Sequence, residues 1–130
     1  MRFGLNFFPS FRPSDLSTAD YYQQVLALCE RHPDVWCALG THPHDASSWK
    51  DGDVERLRSL LADPKAVAVG ECGLDFYYDY SPREAQFRAL REQWALAIEL
   101  GLPVVVHNRD SKRGVAKAPR ASGPFAASLR

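Results

Sequence analysis

The sequence predicts an α/β fold with about three parallel strands and intervening helices. Three short apolar runs, at residues 35–40, 66–71 and 103–107, have the length and composition of buried strands. Apolar residues at helical spacing precede the first run and separate the later ones. This alternation of helix and strand is typical of a parallel sheet whose faces are covered by helices.

Three helices are predicted around these strands from the signals at their ends. The first ends before Pro33, and the second is capped at its N-terminus by Asp53. The third begins at a capping box made by Ser81 and Glu84 and ends at Gly101. The predicted buried face of this third helix consists of Phe87, Leu90, Trp94, Ala97 and Ile98.

Composition divides the chain of 130 residues into three segments. Residues 1–17 form an irregular N-terminal segment, and residues 18–111 carry the helix–strand pattern. Residues 112–130, rich in Ala, Ser, Gly and Pro, are predicted to be a basic, disordered tail. The length suits one modest domain and is too short for a complete (β/α)8 barrel, which typically needs about 250 residues.

The net charge of the chain is zero, but it is unevenly spread. The tail carries +5 and the remaining residues carry −5, which excludes nucleic-acid binding through a broad basic surface. Any nucleic-acid chemistry must then rely on a local metal site for phosphate binding. No apolar run approaches the ~18 residues of a membrane span, and no signal-peptide pattern is present, so we expect a cytoplasmic protein without a membrane partner.

Two side chains of metal-ligand type lie at the ends of predicted strands, Glu71 on the second and His107 on the third. Because the carboxyl ends of parallel strands meet at one edge of a sheet, we expect both at one catalytic site. Glu71 can be a metal ligand, or it can pair with Arg109 or cap a loop. His107 can bind Zn²⁺ or Mn²⁺, or it can be a hydrogen-bonded core histidine.

Candidates for substrate binding lie near the same strand ends. His42 and His44 follow the first strand and can contact a phosphate or another ligand, or can instead structure the loop. Arg109 can hold a substrate phosphate or pair with a nearby acid. Asp75 is a further candidate, on a predicted loop at residues 72–80. That loop also carries four aromatic rings that can stack on nucleobases or pin the loop to the scaffold: Phe76, Tyr77, Tyr78 and Tyr80.

Three sequence motifs coincide with these strand ends. They are Gly-Thr-His-Pro-His-Asp-Ala at residues 40–46, Val-Gly-Glu-Cys-Gly-Leu-Asp-Phe-Tyr at residues 69–77 and Pro-Val-Val-Val-His-Asn-Arg-Asp at residues 103–110. Together they resemble the TatD family of metal-dependent deoxyribonucleases. The resemblance covers roughly residues 18–111, and its most specific part is Gly-Glu-x-Gly-Leu-Asp combined with the later His-x-Arg.

The resemblance implies a partial TIM (β/α)8 barrel of the amidohydrolase type of metallohydrolase. Family members hydrolyse phosphodiester bonds of DNA, often as 3′ exonucleases, so the implied partner is single-stranded DNA or a DNA 3′ end. The implied cofactors are two divalent ions, Mg²⁺ with Mn²⁺ or Zn²⁺ as alternatives. By motif match, Glu71 resembles a bridging metal ligand and His107 a ligand of one ion. A metal-activated water would attack phosphorus.

The sequence departs from the family pattern on both sides of these motifs. The family has an early strand that ends in His-x-His, a later histidine and a later strand-end aspartate, but here no histidine precedes His32 and neither residue follows Asp110. We therefore expect a truncated member that self-associates through its unclosed sheet edge. Two alternative functions are an inactive fragment that serves as an oligomerising or nucleic-acid-binding module, and another metallohydrolase activity, on phosphoesters or amides.

Overall fold

The structure is a computed structural model that describes residues 18–111 and 126–128. Helices and strands alternate along the chain, as the sequence predicts. In chain order the elements are α1 (Thr18–Arg31), β1 (Cys37–Leu39), a 3-10 helix (Pro43–Ser48), α2 (Asp53–Leu61), β2 (Ala66–Asp75), α3 (Arg83–Leu100), β3 (Val104–Arg109) and β4 (Ala126–Ser128). Within the described ranges, no helix has both the length and the apolar character needed to span a membrane.

The strands form one parallel sheet in the order β1-β2-β3-β4. The three predicted parallel strands are confirmed, and over the described residues the sheet does not close into a barrel. The three-residue β4 pairs with β3 and lies within the segment predicted to be a disordered tail. The rest of that tail and residues 1–17 lie outside the described residues, so the predictions for them stay predictions.

β2 is longer than the sequence predicts, because it continues to Asp75. Residues 72–75, predicted as part of a loop, pair with β3, with Gly73 opposite His107 and Asp75 opposite Arg109. The loop prediction is wrong here because a glycine within a strand pattern can mark a close backbone approach instead of a turn. A Cβ atom at Gly73 would lie 1.9 Å from the His107 carbonyl oxygen. Glycine at this position therefore permits the observed pairing of β2 with β3.

One hydrophobic core lies between the sheet and the helices. Leu39, Val69 and Leu74 of the strands and Leu90 of α3 are each at most 1% exposed. Ile98 is 46% exposed, so the predicted buried face of α3 is wrong at that position. The buried residues of α3 are Gln86, Ala89, Leu90, Gln93, Trp94, Leu96 and Ala97. Two glutamines belong to this buried face. A prediction based on apolar residues alone omits them and so includes Ile98 in the face instead.

Two helix starts differ from the prediction. Pro82 is the N-cap of α3 and makes no side-chain cap bond, so the predicted capping box of Ser81 and Glu84 does not form. The Ser81 hydroxyl instead donates to the His44 carbonyl oxygen at 2.7 Å, which joins the start of α3 to the 3-10 helix. Asp53 is the first helical residue of α2 and not its N-cap. Ser81 is therefore used in a tertiary contact, whereas the Asp53 carboxylate accepts from the Lys50 N–H at 2.9 Å and pairs with Arg56 within the same helix.

Candidate metal and nucleic-acid site

Glu71 and His107 are in contact at the carboxyl-terminal parts of β2 and β3. The Oε1 atom of Glu71 lies 3.0 Å from Nδ1 of His107. The strand register shifts between Gly70 and Cys72, so Glu71 is the extra residue of a bulge-like irregularity. Such an irregularity re-aims a side chain. Here the carboxylate points at the histidine of the neighbouring strand.

The second carboxylate oxygen of Glu71 is buried and has no hydrogen-bond partner among the described residues. Leaving a buried carboxylate oxygen without a partner costs free energy. A cation bound at this atom would offset that cost. The Glu71 side chain is 10% exposed, so little solvent reaches the carboxylate. The unpartnered oxygen is the first observation that fits a metal ion.

His42 supplies a further donor from the loop after β1. Its Nδ1 accepts a hydrogen bond from the His44 backbone N–H at 3.2 Å, where His42 caps the 3-10 helix. That bond orients the ring, and Nε2 lies 3.3 Å from Nδ1 of His107. Burial, reinforced by the charges of His107 and His44, lowers the pKa of His42 to about 4. His42 is therefore neutral near pH 7, the form in which imidazole binds a metal ion.

Asp75 is fully buried behind the histidines. Its Oδ2 lies 2.8 Å from Nε2 of His44 and 2.9 Å from Nε2 of His107. Its Oδ1 accepts hydrogen bonds from the backbone N–H groups of Tyr77 and Tyr78. Burial alone would raise the pKa of Asp75, but the Tyr78 N–H and the two histidine rings outweigh burial and lower the pKa to about 2. Asp75 is therefore an anion at neutral pH.

His107 lies between two carboxylates, with Nδ1 against Glu71 and Nε2 against Asp75. The hydrogen bond with Glu71 raises the pKa of His107, and the contact with Asp75 adds to the effect while burial opposes it. A carboxylate behind a ligating histidine fixes the orientation and tautomer of the ring. The substrate-binding role predicted for Asp75 stays a prediction, and its burial favours a role in positioning the histidines.

One ring nitrogen from each of His42, His44 and His107 lies within 4.8 Å of the others, a spacing at which the three can hold a metal ion. Imidazole nitrogen suits Zn²⁺ and other transition metals, whereas Mg²⁺ prefers oxygen ligands in octahedral geometry. With the Glu71 carboxylate beside His107, the donors present fit a divalent transition-metal ion.

Residues 12–126 match the sequence model of the family described as TatD related DNase. The chain belongs to the TatD family. One curated TatD relative is the 3'-5' ssDNA/RNA exonuclease TatD of Enterobacter lignolyticus, which is 47% identical over 89 residues that cover 68% of this chain and 34% of the relative. The protein of the same name from Erwinia tasmaniensis is 48% identical over 90 residues, which cover 68% of this chain and 35% of that relative.

A TatD homolog of known structure shares the fold. The crystal structure of YjjV from Escherichia coli matches with a TM-score of 0.68 at 38% identity, over 75% of this chain and 39% of that chain. The fold is accordingly a partial, unclosed (β/α)8 barrel. The chain spans about a third of the length of the curated TatD relatives it matches.

Two buried glutamines of α3 fix the loops of the candidate site. Gln86 accepts a hydrogen bond from the Asp75 N–H at 2.8 Å and donates to the carbonyl oxygens of Asp75 and Ser81. Gln93 accepts from the Thr41 N–H at 2.7 Å and donates to the Thr41 carbonyl oxygen. The polar side chains at the strand ends, from which the site was predicted, do not indicate these two glutamines. Their separation of seven residues, on one face of the helix, is the signal in the sequence that marks them.

Replacing Gln86 with leucine is expected to lower the free energy of unfolding by at least about 2 kcal/mol. Leucine fills a similar volume but leaves buried backbone groups of Asp75 and Ser81 without partners. Urea unfolding followed by circular dichroism measures the change. The control is Gln23→Leu on the exposed face of α1, which should alter stability by no more than about 0.5 kcal/mol. Equal effects of the two substitutions would contradict this role of Gln86.

Arg109, the last residue of β3, extends over the segment that follows β2. Its side chain is 46% exposed, and Nη1 lies 3.8 Å from Oδ2 of Asp75. The guanidinium carbon lies over the Tyr78 ring, 4.9 Å from the centroid. Within the described residues the ion pair of Arg109 is therefore with Asp75 and not with Glu71. A half-exposed guanidinium beside the histidines is suited to binding a phosphate group.

Proposed function

We propose that this TatD-family protein is a divalent-metal-dependent hydrolase that cleaves phosphodiester bonds of single-stranded DNA, acting at 3′ ends. The observation that carries the proposal is the contact of Glu71 with His107, beside His42, together with a buried Glu71 oxygen to which no described residue donates a hydrogen bond. Relatives at 47% and 48% identity are named 3'-5' ssDNA/RNA exonuclease. Those names support a nucleic-acid strand as the substrate.

In this proposal Glu71 and His107 are catalytic residues that hold the cation, and His42 directs Nε2 toward the same space. A divalent ion bound there would supply a nucleophilic water at neutral pH and offset charge on the phosphoryl oxygens. Asp75 keeps the His107 ring in place through Nε2. The described residues supply donors for one such centre, and a second ion of the TatD type would need further ligands.

Substrate binding is proposed for Arg109 and His44, with His42 able to contact a phosphate oxygen next to the cation. The Arg109 guanidinium is half-exposed and lies 3.8 Å from Asp75, the partner of His44. It can bind the non-bridging oxygens of a phosphate in a bidentate manner. His44 lies 29% exposed with Nε2 on Asp75, so the edge of its ring can contact the strand. These contacts would orient the scissile bond.

The activity is tested with a labelled single-stranded oligodeoxynucleotide and protein freed of metal by EDTA. The metal-free protein is expected to leave the strand intact, and Mn²⁺ is expected to restore cleavage at a lower concentration than Mg²⁺. The reason is that the candidate site is rich in imidazole nitrogen, whereas Mg²⁺ prefers oxygen ligands. Gel analysis of products over a range of metal concentrations measures both effects. Cleavage that persists in excess EDTA would contradict the proposal.

A second candidate is a non-catalytic module that associates with a second copy through the unclosed sheet. The exposure of Val67 favours this second candidate. Val67 of β2 is 43% exposed, whereas Ala66 and Ala68 on either side of it are 5% and 6% exposed. An exposed apolar position on a sheet invites coverage by another layer. Sedimentation velocity at increasing concentration discriminates between the two. A dimer without metal-dependent cleavage would support the module, and a monomer that cleaves DNA would exclude it.

We also propose that the protein works in the cytoplasm. Its three cysteines, Cys29, Cys37 and Cys72, are free thiols. Free thiols are usual where the compartment keeps cysteines reduced. Recovery of the protein from a membrane or extracellular fraction would contradict this location.

A further inference from the structure

Three exposed tyrosines lie on the loop beside the histidine cluster. Tyr77 and Tyr80 are each 66% exposed, and Tyr78 is 47% exposed. Phe76 on the same loop is packed against the core, with its ring 5.9 Å from that of Phe87. Phe76 therefore anchors the loop. Pinning the loop to the scaffold does not account for the exposure of the three tyrosines.

Tyr78 and Tyr80 form a stacked pair on this loop. Their ring centroids are 5.3 Å apart, and the ring planes are inclined by only 13°. Asp79 between them has a φ of 53°, a left-handed conformation that aspartate tolerates better than most residues. Its carboxylate pairs with Arg83 at the start of α3. The backbone between the tyrosines thus turns both rings to one side.

The tyrosine pair is continuous with the candidate metal site. The centroid of the His44 ring lies 4.8 Å from that of Tyr80, and Nε2 of His44 contacts Asp75. The Arg109 guanidinium lies 4.9 Å from the centroid of the Tyr78 ring. A nucleotide bound here would meet the aromatic stack for its base and a guanidinium for its phosphate.

We propose that Tyr78 and Tyr80 form a stacking site for one unpaired nucleobase of the strand whose phosphodiester bond reaches the metal site. The inference rests on the proposed function and names the residues that select the substrate class. An unpaired base offers its π-face to an aromatic ring, whereas a base inside a duplex is covered by its neighbours. Arg109 beside the rings adds charge attraction to the phosphate. The site therefore selects single strands without reading their sequence.

The test is binding of a single-stranded oligodeoxynucleotide that carries 2-aminopurine, a base analogue whose fluorescence falls when it stacks. Binding is measured with EDTA present and at low salt, so that no strand is cut. The full chain is expected to bind the strand and quench its fluorescence. Replacing Tyr78 and Tyr80 together by alanine is expected to weaken binding at least about fivefold and to abolish quenching. Replacing both by phenylalanine keeps the rings and should preserve both signals.

The matched control is Trp36→Ala. Trp36 is also an exposed aromatic residue, 42% exposed, with the Lys65 ammonium 4.9 Å from its ring centroid. It directly precedes β1 and so lies at the opposite end of the sheet from the site. Its replacement should leave binding and quenching unchanged. Thermal unfolding of each variant verifies that the chain is folded.

Several outcomes would overturn the stacking site: no binding by the unaltered chain, unchanged binding and quenching in the double alanine variant, equal quenching of a duplex, or equal loss in Trp36→Ala. Because this assay uses no metal, it is independent of cleavage. Quenching without metal-dependent cleavage would support the stacking site and reject the proposed function. Metal-dependent cleavage that does not change when Tyr78 and Tyr80 are replaced would support the proposed function and reject the stacking site.

Discussion

Replacing Glu71 with glutamine is expected to reduce metal-dependent cleavage of single-stranded DNA by at least about a hundredfold. Groups that only orient metal ligands already contribute about 10–100-fold to metal affinity or activity. Glu71 carries a buried oxygen that has no hydrogen-bond partner in the described part of the chain, and it contacts His107 directly, so its negative charge has the larger role. Glutamine has the same size and can still contact His107, which should preserve the fold. Initial rates of cleavage at a fixed Mn²⁺ concentration measure the change.

The matched control for this substitution is Glu84→Gln. Glu84 is an exposed residue in the first turn of α3, outside the histidine cluster. Its replacement removes the same charge from the chain and should leave the cleavage rate within about twofold of the unaltered protein, since surface substitutions usually have small effects. Full activity in Glu71→Gln, or an equal loss in both variants, would be incompatible with a metal role for Glu71.

Replacing Gly73 with alanine is expected to lower the free energy of unfolding by more than about 3 kcal/mol, or to prevent folding. The added Cβ would lie 1.9 Å from the His107 carbonyl oxygen, so β2 and β3 would have to separate where they pair. Separation would also move His107 away from Glu71, and metal-dependent cleavage should be lost with stability. Thermal unfolding and the cleavage assay together measure this effect.

Gly101→Ala is the control for the conformational part of that cost. Gly101 has a φ of 66° at the end of α3, and nothing lies within 4 Å of the position that its Cβ would take. Alanine there should cost about 1–2 kcal/mol from the left-handed backbone alone. If both substitutions destabilised the chain by the same amount, the close approach of Gly73 to β3 would not be the reason that position 73 is glycine.

The parallel strands and the placement of Glu71 and His107 at one edge of the sheet follow from patterns that the sequence displays. Each residue ends an apolar run, and the ends of neighbouring parallel strands lie at one sheet edge. The location of Asp75 does not follow from such a pattern. It depends on the irregularity at Glu71 and on the close approach at Gly73, which arise from pairing with a strand about 35 residues later. The local sequence therefore predicts a loop at residues 72–75, where the structure has the buried end of β2.

Polar residues that serve tertiary contacts also depart from what the local sequence predicts. Ser81 has the sequence position of a helix cap, yet its hydroxyl bonds to the His44 carbonyl oxygen. Gln86 and Gln93 are polar, yet both are at most 1% exposed and hold the strand-end loops. Propensity and periodicity treat such residues as surface or cap positions. Their buried partners lie on other elements and are not visible in the local sequence.

We propose that Glu71 and His107 together hold one divalent cation. Titration of Mn²⁺ into the metal-free full chain, followed by electron paramagnetic resonance of the free ion, tests it without any substrate. We expect the unaltered chain to bind Mn²⁺ and both Glu71→Gln and His107→Ala to bind it at least about tenfold more weakly. Equal Mn²⁺ affinity in the three proteins, or no binding by the unaltered chain, would contradict it.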